Sequence, residues 1–143
     1  MDKILLVDDE PDILRVLSIS LKADGYNVTT AQNGQDALAL YRKESPRIVL
    51  TDIKMPGMNG IEVLREIKKI DEETEVIIIT GHGDIESAIE ALQYGASDFI
   101  NKPVRDEALS IALKRAKTKI AINQKLKEYT LDLEQKVADA TRK

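Results

Sequence analysis

Three acidic residues stand directly after two apolar runs of the sequence. Asp8 and Asp9 follow the run Ile-Leu-Leu-Val at 4–7, and Asp52 follows the run Ile-Val-Leu-Thr at 48–51. Continuous Val, Ile and Leu runs are typical of parallel strands that helices cover on both faces. Because the carboxyl ends of such strands meet at one edge of an open α/β sheet, the three carboxylates are expected to lie together. Three negative charges there repel one another unless a cation lies among them.

Oxygen ligands at this edge suit Mg²⁺, which binds one or two carboxylates and keeps several waters. An ionised aspartate beside such a metal can also attack phosphorus and form an aspartyl phosphate. The alternative is that Asp9 or Glu10 only caps a helix that begins at Pro11. Capping accounts for one acid at that point. It does not account for Asp52, which a Met-Pro-Gly loop follows.

Two further polar residues are predicted at the same edge. Thr80 ends the fourth apolar run and precedes Gly81-His82-Gly83, where the backbone can approach a ligand closely. Lys102 follows the fifth run and precedes Pro103. A hydroxyl group and an ammonium group directed at one phosphoryl group would stabilise its negative charge. Each residue alone has an ordinary explanation, but their combination with the three carboxylates indicates a phosphoryl-binding site.

Strands and helices must alternate to position these residues. Helix signals stand between the apolar runs: Pro11 as a start, Asp24-Gly25 as a stop, and Asn33-Gly34 and Asn59-Gly60 as further starts. A fourth helix is predicted from about Asp84 to Tyr94. The alternation with short connections predicts an α/β fold with a doubly wound parallel sheet. Its five strands are predicted at 4–7, 26–30, 48–51, 76–80 and 98–100, the second being the least buried and the fourth the most.

The last helical pattern begins near Val104 and is too long for a helix that only covers the sheet. Its first part carries a stripe that can pack on the sheet, formed by Leu109, Leu113, Ala116 and Ile120. Apolar residues then continue at spacings of three and four, at Leu126, Tyr129, Leu133, Val137 and Ala140. A helix that projects past the body needs a partner for such a stripe, so a parallel or antiparallel coiled coil is expected. The alternative is a frayed or disordered tail.

The amino-acid composition excludes several kinds of site and of protein. The 143 residues fit one domain of ordinary size. The absence of cysteine excludes disulfides, thiolate catalysis and cysteine-ligated zinc. With no signal-like start and no apolar run of membrane-spanning length, a cytoplasmic protein without membrane contact is expected.

The charge is unevenly distributed along the chain. Residues 1–113 hold 12 Lys and Arg against 21 Asp and Glu, whereas residues 114–143 hold 9 against 4. The acidic body argues against nucleic acid as a partner, and the basic tail has no base-reading motif. A Lys-rich helix is ordinarily just solvated.

At this point the sequence resembles the receiver (CheY-like) domain of two-component response regulators. The resemblance covers residues 1–113 in four separated motifs that occur in the family's order and spacing. Those motifs are Ile-Leu-Leu-Val-Asp8-Asp9-Glu10, Leu50-Thr51-Asp52-Ile-Lys-Met-Pro56-Gly-Met-Asn-Gly60, Ile-Ile-Thr80-Gly-His-Gly and Asp98-Phe99-Ile100-Asn101-Lys102-Pro103. The family's fold would be flavodoxin-like, with the strand order 2-1-3-4-5 and here an extended C-terminal helix.

The resemblance implies a role for each carboxylate. Asp52 would be the phosphoacceptor, receiving a phosphoryl group from a phosphohistidine on a sensor histidine kinase or a phosphotransfer protein. The implied cofactor is Mg²⁺. It would be held by Asp8, Asp9, Asp52 and the backbone carbonyl of Lys54.

The remaining positions would form the switch. Lys102 would pair with the phosphoryl oxygens, Thr80 would turn its hydroxyl onto them, and Phe99 would rotate inward. Pro103 stands where the family often has a cis peptide. Phosphorylation would then act as a population shift that alters the surface of the fourth helix, fifth strand and fifth helix, and so controls output or dimerisation.

The segment Thr-Gly-His-Gly-Asp-Ile-Glu-Ser-Ala further resembles receivers of the nitrogen-regulatory kind. It contains His82, the only histidine of the chain. His82 is expected to be an exposed loop residue, with tuning of acyl-phosphate hydrolysis as the alternative. A metal-ligand role is not expected, since the site prefers oxygen.

The chain is therefore expected to comprise a receiver domain at 1–117 and a helical extension at 118–143. The extension would be a coiled-coil-like linker to a partner or to an output domain outside this chain, and one expected use is a homodimer. A signalling module rather than a turnover enzyme is expected.

Two alternatives belong to other classes. A Mg²⁺-dependent phosphohydrolase of the haloacid-dehalogenase-like kind would need an acid two residues after its nucleophile, where Lys54 stands. A helical dimerisation adaptor with a vestigial receiver would not need the site residues that this chain retains.

Overall fold

The computed structural model describes residues 2–81 and 83–141, and for 139–141 the backbone only. His82 lies outside the described residues, so the expectations about it are not tested. The strands are β1 (Lys3–Val7), β2 (Asn27–Ala31), β3 (Ile48–Asp52), β4 (Glu75–Thr80) and β5 (Asp98–Asn101). The helices are α1 (Pro11–Ala23), α2 (Gly34–Glu44), α3 (Gly60–Ile70), α4 (Ile85–Gln93) and α5 (Asp106–Thr141).

The five strands form one sheet in the order β2-β1-β3-β4-β5, and every neighbouring pair is parallel. The predicted fold class and strand order are confirmed. β4 is buried along its whole length, as its continuous apolar run predicted, and so is β3. β2 has one buried residue, as its alternating pattern suggested, but β5 is equally open with one buried residue, so β2 alone is not the least buried strand. The observed boundaries differ from the predicted ones by one or two residues.

Each face of the sheet has its own apolar core, because successive side chains of a strand point to opposite faces. In β1, Ile4 and Leu6 lie in the core with α1 and α5, whereas Leu5 and Val7 lie in the core with α2 and α3. Helices thus cover both faces. Continuous apolar runs are the sequence pattern that such a sheet requires.

Helices α2 and α3 begin at the glycines of the two Asn-Gly pairs. The side chain of Asn33 accepts the N–H of Asp36, and that of Asn59 accepts the N–H of Glu62. Each bond gives a partner to one backbone N–H of the first helical turn that has no acceptor within the helix. Glu10 occupies the corresponding position before α1, but its side chain caps nothing.

One boundary difference has a clear physical cause. β4 begins at Glu75, one residue before the predicted strand, and the Glu75 side chain is buried at 1% exposure. Its carboxylate accepts a hydrogen bond from Ser97 and lies 3.8 Å from Lys119 Nζ. Partners from two other segments compensate the charge of this buried acid at Oε2, whereas Oε1 is buried without a hydrogen bond.

α5 first covers the sheet and then projects beyond it. The residues that pack on the sheet are Leu109, Ala112, Leu113 and Ala116, with Ile120 partly buried. The helix continues to Thr141, so the described residues do not form the disordered tail that was the alternative. Within the described part of the chain, no helix combines the length and apolar content needed to cross a membrane.

Candidate functional site

The three acids at the strand ends lie together. Asp8 follows β1, Asp52 ends β3, and one carboxylate oxygen from each of Asp8, Asp9 and Asp52 lies within 4.8 Å of the others. Asp8 and Asp52 are buried, whereas Asp9 is more accessible to solvent. The edge formed by β1 and β3 therefore concentrates negative charge at a point that solvent reaches from one side.

Lys102 bridges the two buried acids. Its Nζ lies 3.0 Å from Asp52 Oδ2 and 3.3 Å from Asp8 Oδ2. The Lys102 N–H donates to Thr80 O at 2.7 Å, and the peptide bond between Lys102 and Pro103 is cis. Burial opposes the charge of Lys102, but the hydrogen bond and charge of Asp52, with the charge of Asp8, raise its pKa.

Of the three acids, Asp8 is the one whose charged form is disfavoured by burial. Burial raises its pKa to about 6, and the charge of Asp52 adds to this, while the Glu10 N–H and Lys102 act in the opposite direction. Asp8 Oδ1 accepts the Glu10 N–H at 2.9 Å. Oδ2 is buried without a hydrogen bond, although the Lys102 ammonium is close. A buried acceptor oxygen that lacks a hydrogen bond and lies beside two other carboxylates fits a metal cation.

The hydroxyl group of Thr80 is held on the β5 side of the site. Thr80 is buried at the end of β4, and its Oγ1 donates to Asn101 Oδ1 at 2.9 Å. On β5 itself, Phe99 is 42% exposed. The sequence motif contained Asn101, but sequence reasoning assigned it no role. Its position directly before Lys102 was the one available signal.

A second ion pair joins two loops of the site. Lys54 Nζ lies 2.8 Å from Asp84 Oδ1, and the buried Asp84 side chain also accepts the Gly81 N–H at 3.3 Å. The hydrogen bond from Lys54 lowers the pKa of Asp84. The segment after β3 is thereby tied to the segment after β4. The sequence did not predict this ion pair, and the role of the Lys54 backbone carbonyl as a metal ligand stays a prediction.

The backbone of Asp52 is packed against the start of α3. A Cβ atom added to Gly60 would lie 2.0 Å from Asp52 O and 2.9 Å from Ile53 Cα. The Gly60 N–H donates to Ile53 O at 2.8 Å. Only glycine allows this approach, so Gly60 fixes where the strand carrying Asp52 ends.

Comparison with known proteins identifies the family. The family model of the response regulator receiver domain matches residues 4–114. The chain belongs to this family. Receiver domains of response regulators are phosphorylated by histidine kinases and generally bind Mg²⁺ at their acidic pocket.

Curated relatives include receivers of the NtrX kind. The putative response regulator NtrX-like of Rickettsia bellii is 41% identical over 140 residues, covering 96% of this chain and 28% of that protein. The regulatory protein AtoC of Escherichia coli is 39% identical over 116 residues, covering 81% of this chain and 25% of that protein. The chain thus spans about a quarter of the length of these relatives.

Solved structures agree with the fold. A response regulator receiver domain protein from Clostridium thermocellum superposes with a TM-score of 0.80 at 41% identity, covering 88% of this chain and 99% of that one. NtrX from Brucella abortus superposes with a TM-score of 0.85 at 36% identity, covering 90% of this chain and 30% of that one. Sequence and structure therefore place this receiver domain near the nitrogen-regulatory kind.

Proposed function

We propose that Asp52 is the phosphoacceptor of this receiver domain, with Asp8 and Asp9 as its metal-binding acids. The observation that carries the proposal is the pair of contacts made by Lys102, which joins Asp52 to Asp8 across the strand ends. A cation fixed beside one aspartate oxygen leaves the other oxygen of that carboxylate available to attack phosphorus. The same ammonium can then pair with the transferred oxygens.

The transfer balances without a further reactant. An oxygen of Asp52 attacks the phosphorus of a phosphohistidine on the kinase, the P–N bond breaks, and the imidazole leaves with the electron pair and takes up a proton. The proposed cofactor is Mg²⁺, bound by Asp8, Asp9, Asp52 and the backbone carbonyl of Lys54. When bound, it supplies charge neutralisation for the incoming phosphoryl oxygens.

The ligand atoms available at the site indicate which cation it would bind. All three side chains offer hard carboxylate oxygens, and Asp8 Oδ2 is buried without a hydrogen bond. Oxygen donors of this kind favour Mg²⁺ over softer metals. The chain's own contribution is to hold these oxygens together before the phosphoryl donor arrives.

The switch proposal rests on where Thr80 and Phe99 stand. The Thr80 hydroxyl is bonded to Asn101, and the Phe99 ring is partly exposed. A phosphoryl group on Asp52 offers the Thr80 hydroxyl a charged acceptor, which makes a stronger bond than the neutral amide oxygen. That difference in contact energy would favour the arrangement in which the Thr80 hydroxyl turns toward the phosphoryl group and the Phe99 ring rotates inward. This rearrangement would alter the surface formed by α4, β5 and α5.

The wider role follows from the same proposal. The partner would be a sensor histidine kinase or phosphotransfer protein, and residues 118–143 would link the receiver domain at 1–117 to an output module or a second copy. A cytoplasmic location stays a prediction. So does the role as a switch rather than a turnover enzyme. The phosphohydrolase alternative is not favoured, because Lys54 stands where that class needs an acid and is paired with Asp84.

The decisive test is phosphorylation by a small donor. The full chain is incubated with acetyl phosphate and Mg²⁺, and intact mass is measured. We expect a gain of one phosphoryl group that requires Mg²⁺ and is absent in Asp52→Ala and Asp52→Asn. Asp36→Asn, which removes an exposed acid of α2, is the matched control and should still be modified. A gain that persists in Asp52→Ala would overturn the site assignment.

A further inference from the structure

The side chain of Asn101 is the closer of two acceptors that the Thr80 hydroxyl group reaches. Thr80 Oγ1 lies 2.9 Å from Asn101 Oδ1 and 3.5 Å from the backbone oxygen of Ile100. Good hydrogen bonds between two oxygens are about 2.5–3.0 Å long, so the contact with Ile100 is weak. A hydroxyl group has one proton to donate. The bond to Asn101 therefore competes with any other acceptor that Thr80 could reach.

This bond turns the hydroxyl group away from Asp52. β4 lies between β3, which carries Asp52, and β5, where Asn101 is the partner of Thr80 in the register of the two strands. The backbone of Thr80 is held as well, because the Lys102 N–H donates to its carbonyl oxygen at 2.7 Å. With the backbone held, the hydroxyl group leaves Asn101 by rotation about the Cα–Cβ bond of Thr80 to another staggered rotamer.

The two partners of the bond differ in their access to water. Thr80 is 2% exposed, whereas Asn101 is an exposed residue of the edge strand β5. When the bond breaks, water can satisfy the Asn101 amide, but the buried hydroxyl group needs another acceptor. A phosphoryl oxygen on Asp52 would be such an acceptor, and its charge would make the new bond the stronger one. In the absence of that acceptor, breaking the bond is unfavourable.

We propose that Asn101 is a positioning residue that restrains Thr80 and thereby sets the threshold of the switch. The inference rests on the proposed function, because it concerns the response of Thr80 to a phosphoryl group on Asp52. Asn101 acts through the Thr80 hydroxyl group and lowers the fraction of molecules in which this group points toward Asp52 without a phosphoryl group. A residue without an acceptor at position 101 lowers the threshold, and a charged acceptor raises it.

Binding of beryllium fluoride, which mimics a phosphoryl group, tests the restraint. The full chain is titrated with beryllium fluoride in Mg²⁺ buffer, and the affinity is measured by calorimetry. Asn101→Ala should bind about two- to tenfold more tightly than the wild type, a factor that corresponds to one neutral hydrogen bond. The matched control is Asn27→Ala, which removes an exposed asparagine of the opposite edge strand β2 and should leave the affinity unchanged. Equal or weaker binding by Asn101→Ala overturns the inference.

A double-mutant cycle separates this role from a general effect on β5. Thr80→Val keeps a branched side chain but removes the hydroxyl group, so in this background Asn101→Ala should change the affinity by less than about twofold. Asn101→Asp supplies a charged acceptor and should weaken binding more in the presence of the hydroxyl group than in Thr80→Val, where only charge repulsion remains. If Asn101→Ala has the same effect in both backgrounds, Asn101 does not act through Thr80 and the inference is wrong.

Phosphorylation of the same variants distinguishes failure of the inference from failure of the proposed function. Each variant is incubated with acetyl phosphate and Mg²⁺, and its intact mass is measured. If Asp52 accepts a phosphoryl group while Asn101→Ala binds beryllium fluoride as the wild type does, the inference fails and the proposed function stands. If the wild type is not modified at Asp52, the proposed function fails, and the inference fails with it.

Discussion

At the residue scale, the side chain of Lys102 contacts both buried acids of the site. Lys102 contacts Asp52 and Asp8, while its own N–H holds the end of β4 at Thr80 O. The two acids it joins differ in environment. Asp8 has a buried oxygen without a hydrogen bond, and its pKa is raised to about 6. The burial of Asp8 therefore costs stability, and it holds the carboxylates at the place proposed for the cation.

This cost predicts the effect of Asp8→Asn. The folded-state pKa of Asp8 lies above its unfolded value of 3.8, so the folded state holds this proton more tightly. The contribution of Asp8 to the free energy of unfolding is then largest below about pH 4 and is lost as pH rises to about 6. The variant keeps the acceptor for Glu10 N–H. In Mg²⁺-free buffer at pH 7 we expect it to be about 1–3 kcal/mol more stable.

Urea unfolding from pH 4 to pH 7 checks this expectation. Asp8→Asn should remove part of the wild-type loss of stability over that range. Added Mg²⁺ should stabilise the wild type more than the variant, since it binds the ionised cluster. The control is Asp9→Asn, which replaces the more accessible acid and should change the free energy of unfolding only slightly. An unchanged pH profile in Asp8→Asn would contradict the role given to burial.

At the element scale, the close contact between β3 and α3 positions Asp52. The contact depends on Gly60, since a Cβ there would overlap backbone atoms of Asp52 and Ile53, which cannot rotate away. The loop between them can adapt, but the strand end cannot move without displacing the acid. The start of α3 is thus part of the site although its side chains do not reach the carboxylates.

Gly60→Ala is expected to damage both stability and phosphorylation. The overlap with Asp52 O forces a backbone shift, which we expect to lower the free energy of unfolding by about 2–4 kcal/mol. Phosphorylation by acetyl phosphate should slow, because Asp52 moves relative to Lys102. The comparison variant is Gly57→Ala, at φ +77° with no atom within 4 Å of the added Cβ, and only backbone strain of about 1 kcal/mol is expected. Equal losses in the two variants would refute the steric explanation.

The elements also show what sequence can and cannot predict. The order of strands and helices was predictable because apolar runs, Asn-Gly starts and Pro11 act locally. The grouping of Asp8, Asp9 and Asp52 was predictable because parallel strands bring their carboxyl ends to one edge. The bond between Thr80 and Asn101 and the buried Glu75 were not, because both depend on side chains from distant segments meeting at one point.

At the scale of the whole molecule, β4 joins the proposed phosphoryl site to the base of the long helix. Thr80 ends the strand beside Asn101, and Glu75 begins it beside Ser97 and Lys119 of α5. On the outer side, Arg115 of α5 pairs with Asp98, the residue before Phe99. An inward rotation of Phe99 would therefore alter the surface beside the base of α5.

This arrangement predicts a reciprocal coupling between the proposed phosphoryl site and the pairing of two copies that is expected of α5. Beryllium fluoride, a non-covalent phosphoryl mimic, should tighten dimerisation of the full chain by about 5–150-fold, the usual range of coupling between sites. Thermodynamic linkage then requires the dimer to bind beryllium fluoride more tightly than the monomer by a factor that follows from the same coupling. Titrations of beryllium fluoride at protein concentrations below and above the dissociation constant of the dimer measure this factor. If beryllium fluoride binds the monomer and the dimer equally, the tail pairs independently of the switch, however tight the dimer is.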